Sequence, residues 1–126
     1  MTRTRRSAKQ AGARFETLVA AFLAQALDDD RIERRARTGA HDRGDIAGLR
    51  HMGARVVIEA KDCARPQLSA WAAEAEIERG NDDAVSGLIV HKRHGRGDPA
   101  DQWVTCTLGD LAALLTGHLR TDEDNS

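Results

Sequence analysis

The chain has 126 residues with a formal net charge of −1; it is 40% hydrophobic and 31% charged, and carries two prolines and two cysteines. That size supports one compact domain, and a charge near zero argues neither for nor against a nucleic-acid partner. No apolar run reaches transmembrane length, no signal-peptide segment opens the chain, and Cys63 and Cys106 lack the spacing of a zinc or redox site, so a cytoplasmic protein with reduced, structural cysteines is expected.

Charge is spread unevenly. Residues 1–14 hold Arg3, Arg5, Arg6, Lys9 and Arg14 without an acid, while the end of the chain holds Asp122, Glu123 and Asp124. Residues 1–10 are therefore expected as a flexible basic arm for phosphates, 11–119 as the folded domain, and 120–126 as an acidic disordered tail.

In chain order, Phe15, Leu18, Val19, Phe22, Leu23, Ala26 and Leu27 recur at spacings of three and four, which predicts an amphipathic helix over 7–27. Glu16 falls on the border of its apolar stripe, where it either reaches water or turns toward a site. Asp28-Asp29-Asp30 ends the helix, and 32–37, with Arg34, Arg35 and Arg37, reads as a strand. The loop from Thr38 to Gly44 has glycine at both ends and carries His41 and Arg43; close approach to a phosphate backbone and simple solvation are equally good accounts of it.

Two short strands follow, 45–49 and 55–60, with His51-Met52-Gly53 as a three-residue hairpin loop. Setting Arg50 opposite Ala54 places Asp45 opposite Glu59, with Lys61 on the same face. Facing Cβ atoms lie about 4.5–5.5 Å apart, and like charges there are destabilising. A hard divalent cation offsets that repulsion: Mg²⁺ takes carboxylate oxygens together with water and substrate phosphate. Lys61 would then orient a water or neutralise charge on a phosphate.

Beyond Cys63, Pro66 is placed to begin a helix running to residue 79, with Leu68, Trp71, Ala72, Ala75 and Ile77 buried and Glu74, Glu76 and Glu78 facing water. Strands are expected at 84–91 and 102–107, joined by a basic loop holding His91, Lys92, Arg93, His94 and Arg96. The two histidines lack further zinc ligands, so phosphate contact is the preferred reading of this loop. Thr107 and Asp110 mark the start of a last helix, whose apolar face is Leu111, Leu114, Leu115 and Leu119. The order α-β-β-β-α-β-β-α is that of an α/β domain with helices flanking a mixed sheet.

Asp45 at the start of one strand and Glu59-Ala60-Lys61 at the end of the next resemble the signature of the PD-(D/E)XK nuclease superfamily. With Glu16 on the first helix, the pattern is most similar to Holliday junction resolvases of the archaeal and phage type, over roughly residues 10–115. Gln67 and Trp71 resemble the Q-x-x-x-Y element of exonucleases of the RecB type, with tryptophan in place of tyrosine. The resemblance implies a restriction-endonuclease-like core and Mg²⁺, replaceable by Mn²⁺. Glu16, Asp45, Glu59 and Lys61 would be the catalytic residues, with Asp45, Glu59, the Ala60 carbonyl and, through water or a second ion, Glu16 serving as metal ligands. It also implies a homodimer acting on four-way or other branched DNA in the cytoplasm, or in the host-cell cytoplasm if phage-encoded. Arg3, Arg5, Arg6, Arg34, Arg35, Arg37, Thr38, His41, Arg43, Lys92, Arg93 and Arg96 are the expected DNA contacts. A nicking, flap or exonucleolytic DNase on the same fold, and a DNA-binding module without cleavage, are the alternatives.

Overall fold

A two-residue hairpin turn sets the geometry of the centre. In the computed structural model, which describes residues 3–36 and 41–118, Met52 and Gly53 both have positive φ, 54° and 80°. This is the left-handed pair that a tight turn between right-twisted strands requires. The turn joins β3 (Arg50–His51) to β4 (Ala54–Lys61), pairing His51 with Ala54 and Arg50 with Arg55. The expected three-residue loop and the Arg50–Ala54 register are thus corrected by one residue. The reason is that Met52 itself takes the left-handed conformation, so His51 is free to join the ladder.

Upstream, the strand is broken. Val56 N–H donates to the Leu49 carbonyl at 3.0 Å, and Asp45 N–H donates to the Ile58 carbonyl at 2.8 Å. Four steps of chain on one side therefore run beside two on the other, a bulge that bends the segment. Gly48 sits within it at φ +86°, and a Cβ there would lie 2.2 Å from the Arg31 carbonyl oxygen. The bent piece, β2 (Ile46–Ala47), pairs antiparallel with β1 (Glu33–Arg34).

The remaining sheet has the order β3-β4-β5-β6. β4 runs parallel to β5 (Ser86–His91), with Glu59 beside Ile89 and Lys61 beside His91, and β6 (Trp103–Thr105) closes the edge antiparallel to β5. The crossover that a parallel pair needs is α2 (Leu68–Asn81). Among the described residues the result is a small α/β domain of three α-helices and a mixed sheet.

On one face of the sheet, α1 (Arg5–Ala26) packs Phe15, Val19 and Ala20 against Ile32, Ile46, Ile58, Ala60 and Val90. Helix α1 starts where the Thr4 side chain accepts from the Ser7 amide, so the expected flexible arm is helical from Arg5 onward. Leu18, Phe22 and Leu27, expected inside, are exposed. On the other face α2 packs Trp71 and Ala75 on Ile89. Gly87 permits that approach, since a Cβ there would come 2.9 Å from the Ala75 carbonyl oxygen.

The buried stripe of α2 is Trp71, Ala75 and Glu78. The sequence pattern had put Ile77 inside and Glu78 outside; Ile77 is in fact 65% exposed and Glu78 3%. Leu68 is likewise exposed, and the helix begins there rather than at Pro66. The last helix, α3 (Leu108–Thr116), is capped as expected, the Thr107 hydroxyl accepting from the Asp110 amide. Its Leu111 and Leu115 nevertheless stay exposed, and Leu119 lies outside the described residues, as do Arg37, Thr38 and the tail. No described helix is long and apolar enough to cross a membrane.

Candidate metal centre

Because β4 alternates its side chains, Ile58 and Ala60 enter the α1 core while Glu59 and Lys61 project together toward α2. The Lys61 ammonium lies 3.3 Å from Glu59 Oε1 and donates to Glu74 Oε2 at 2.8 Å. Glu78 reaches the same place from α2, and Asp42 from the loop before β2. One carboxylate oxygen from each of Asp42, Glu59 and Glu78 falls within 4.8 Å of the others. Glu59 and Glu78 are each only 3% exposed.

Asp45 stands beside this group. It does not face Glu59 across a ladder as the one-residue-different register required. Instead its Oδ2 accepts from the Ala60 amide at 2.8 Å, which holds the carboxylate against the residue between Glu59 and Lys61. The loop before it is tied at two points. Asp42 Oδ1 accepts from the Gly44 amide, and the Asp42 carbonyl accepts from Asn81 Nδ2 at 2.8 Å. Gly44, at φ +96°, leaves room for Val57 and the Ile58 backbone.

The electrostatics are those of a site crowded with acid. Burial, and then the Glu59 charge, push Asp45 up to about 7 against the lowering effect of the Ala60 amide; Glu16 and Asp42 add to the rise. Glu78 is driven far above the carboxylate range, first by burial, then by its side-chain hydrogen bond to Glu59 and the charges of Glu59, Asp42 and Asp45. Glu78 is therefore a neutral acid at pH 7 without a cation. Burial works to lower Lys61, but its bonds to Glu74 and Glu59 and their charges outweigh that and raise it. Lys61 is thus a fixed positive charge and donor here rather than a general base.

Do these residues suit a divalent ion? Glu59 Oε2 and Glu78 Oε2 are buried and take no bond from any protein N–H or hydroxyl; without a cation these two acids have the Glu78–Glu59 hydrogen bond instead. An unmatched buried carboxylate oxygen costs free energy that a cation restores. The donors are all hard oxygens, as Mg²⁺ and Mn²⁺ prefer. The residues fit such an ion, and an acidic triad able to hold one is present, with Glu59 and Glu78 buried and Asp42 half-buried.

The other expected site residues divide. Glu16 is buried in α1, where its Oε2 accepts a 2.7 Å bond from Arg34 Nε; its charge acts on Asp45, but it is not one of the three carboxylates that converge. Arg3 donates to the Asp62 carbonyl at 3.0 Å, next to Lys61, while Arg5 and Arg6 are exposed on the first turn of α1. Lys92 continues β5 past Lys61, its amide bonded to the Lys61 carbonyl. Arg93 lies over the Trp103 ring at 4.4 Å, and Arg96 is 3.8 Å from Asp101. His41 is exposed, and Arg35 and Arg43 both turn toward Asp82. His91 bonds Thr105 Oγ1 and His94 the Cys63 carbonyl, so the two do not share a ligand.

Asp42 and Glu78 escaped the sequence reading. For Glu78 a signal existed: residues 71, 75 and 78 follow the helical spacing of a buried stripe, and an acid on it stands out. Asp42, in a polar loop, offered none. Comparison with known proteins returned nothing: no family model, no curated protein and no solved structure matches this chain.

Proposed function

We propose that this protein is a divalent-metal-dependent DNA endonuclease with a restriction-endonuclease-like core, and that its substrate is branched DNA, as for a Holliday junction resolvase. The observation that carries the reading is the arrangement about Glu59-Ala60-Lys61. An acid and an ammonium 3.3 Å apart share one strand face, Asp45, immediately before β2, is fixed to the amide between them, and two buried carboxylate oxygens take no bond from any protein N–H or hydroxyl. A hairpin with solvated charges would leave such groups in water; here the Asp45, Glu59 and Glu78 carboxylates are buried.

A bound Mg²⁺ or Mn²⁺ would supply a Lewis acid for water activation and for charge on the phosphate. Glu59, Glu78 and Asp42 would hold it, with Asp45 and the Ala60 carbonyl alongside. Lys61, kept protonated, donates to the attacking water or to a phosphate oxygen as negative charge builds there. Glu74, half in solvent at 48% side-chain exposure, anchors the ammonium from the open side. The basic residues Arg3, Lys92 and Arg93 lie around the Lys61 end of β4 and suit a polyanion's approach.

A homodimer belongs to the same proposal. Trp103 and Val104 on the edge strand, with Leu108, Leu111 and Leu115 on α3, remain exposed, an apolar set that a second copy would cover.

The test is incubation with four-way junctions, flaps, single strands and linear duplex in Mg²⁺, with Asp45→Asn and Lys61→Ala alongside. Paired symmetric cuts confined to the junction, lost in both variants, support resolution. Cutting of flaps or ends instead moves the protein to the nicking, flap or exonucleolytic alternative on the same centre. Cleavage that survives both substitutions removes the site assignment.

A further inference from the structure

On the other side of the Asp42 loop from the carboxylates lies a polar cavity of about 350 Å³, lined among others by Arg35, Arg43, Arg50, Arg55, Asn81 and Asp82. Four guanidiniums face two carboxylates there, Asp82 and Asp83, so positive charge is in excess. The pairing is also poor. Arg35 Nη1 and Arg43 Nη1 both point at one oxygen, Asp82 Oδ1, at 3.5 and 4.0 Å. Arg34–Glu16 and Arg79–Glu76 in the same molecule close to 2.7 Å, the usual length of a charge-assisted bond. Asp82 is buried and closes on neither guanidinium at that length, and Arg35 Nε is buried with no partner. Arg55 is held separately, its Nε donating to the Asp82 carbonyl at 2.7 Å while its Nη2 stays 4.0 Å from Asp83 Oδ2.

Planar guanidiniums converging on a cavity match the tetrahedral oxygens of a phosphate, which accepts several such donors at once. We propose that the Arg35-Arg43-Arg55 cavity is a phosphate-binding site that seats a phosphate of a nucleic-acid strand beside the metal centre. The two sites are joined by one peptide bond and two hydrogen bonds. Arg43 follows Asp42 directly; Asn81, in the cavity wall, holds the Asp42 carbonyl; and the Asp82 amide closes onto the Glu78 carbonyl at 2.9 Å, at the end of α2. A strand anchored in the cavity is thereby registered against Glu59 and Lys61. The choice of a nucleic-acid strand rests on the nuclease reading, whereas anion binding by the cavity does not. Asp82 acts as an internal competitor that preorganises the arginines and is displaced from them by the incoming phosphate.

The test is binding of a fluorescent oligonucleotide to the full chain in EDTA, where nothing is cut, with inorganic phosphate as competitor. Arg43→Gln and Arg55→Gln should each weaken binding at least fivefold and reduce the slope of log affinity against log salt by about 0.7 for a single strand or 0.9 for duplex. Asp82→Asn should tighten binding well beyond Asp83→Asn, which makes the same change in net charge at a side chain that is 86% exposed. A preference for 5′-phosphorylated over 5′-hydroxyl oligonucleotides identifies a terminal monoester as the occupant; equal binding identifies an internal diester. The proposal is overturned if both arginine variants keep the wild-type affinity and salt slope, or if folded Asp82→Asn gains no more than Asp83→Asn. Should Asp82→Asn fail to fold by thermal melting, the two arginine variants decide. A protein that shows these shifts yet cuts no DNA keeps its phosphate site and loses the nuclease reading; one that cuts without the shifts does the reverse.

Discussion

Glu78→Gln separates a metal ligand from a structural acid more sharply than any other single change. Without a cation Glu78 is a neutral acid, held so by burial and by Glu59, and glutamine mimics that state in size and charge. The variant should fold with a melting temperature near wild type, since no buried charge is created or orphaned. Ion binding should change steeply. For wild type, the ion must displace the Glu78 proton, so apparent affinity rises about tenfold per pH unit for that proton. Between pH 6 and 8 this amounts to roughly a hundredfold. Glutamine has no proton to lose, and the slope should fall by about one. Groups that only orient a ligand are worth about 10–100-fold in metal affinity, so loss of a ligand sets the expected weakening at pH 8 at about a hundredfold or more. Titration calorimetry with Mn²⁺ at pH 6, 7 and 8, in two buffers of different ionisation enthalpy, reads both quantities. Wild-type affinity and proton release in Glu78→Gln would refute the role given to this residue.

The other predictions are independent of that one. Lys61→Ala should lower cleavage by about 10²–10³-fold, the range for removing one donor to developing charge, while leaving Mn²⁺ binding intact or tighter in calorimetry, because a cation next to Glu59 is gone. The ion-free protein should lose stability as pH rises. Asp45 is raised from 3.8 to about 7, so its contribution is fully present below pH 3.8 and is lost by about pH 7. At 1.36 kcal/mol per pH unit this is roughly 4 kcal/mol, and denaturant melts of Asp45→Asn in EDTA should show a flatter profile over that window. Gly48→Ala should cost more than about 2 kcal/mol in the same melts, through positive-φ strain and collision with the Arg31 carbonyl. Arg34 is itself 41% exposed, so Arg34→Ala, which leaves the buried Glu16 without its partner, should cost about 1–3 kcal/mol; Glu16→Gln added to it should recover much of the loss.

Period and chemistry made the elements legible. Phe15 and Val19 marked α1, Thr107 with Asp110 marked the α3 cap, and the run 56–60 marked the strand that carries Glu59 and Lys61. What failed was register. A Met-Gly turn and a His-Met-Gly turn differ by one residue, and only the left-handed φ of Met52 decides between them. The bulge at Gly48 then uncouples the Asp45 end of the strand from the turn, so no count along the letters could have placed that carboxylate against the Ala60 amide. Helix α2 misled for a different reason. Hydropathy favoured Ile77 over Glu78, yet the sheet face that α2 covers carries Glu59, and an acid pair there is worth burying only if something charged joins it. Contacts between residues far apart in sequence, such as Arg3 with Asp62 and Arg35 with Asp82, leave no trace in local pattern at all.

The most direct measurement is anomalous scattering at the manganese edge from crystals grown with Mn²⁺. Convergence of acidic oxygens from β4, α2 and the Asp42 loop predicts one strong peak bound by Glu59 and Glu78 within reach of Lys61. Density for an ion only at exposed surface acids, with Glu59 and Glu78 still facing each other bare, would contradict the metal centre and the phosphodiester chemistry built on it.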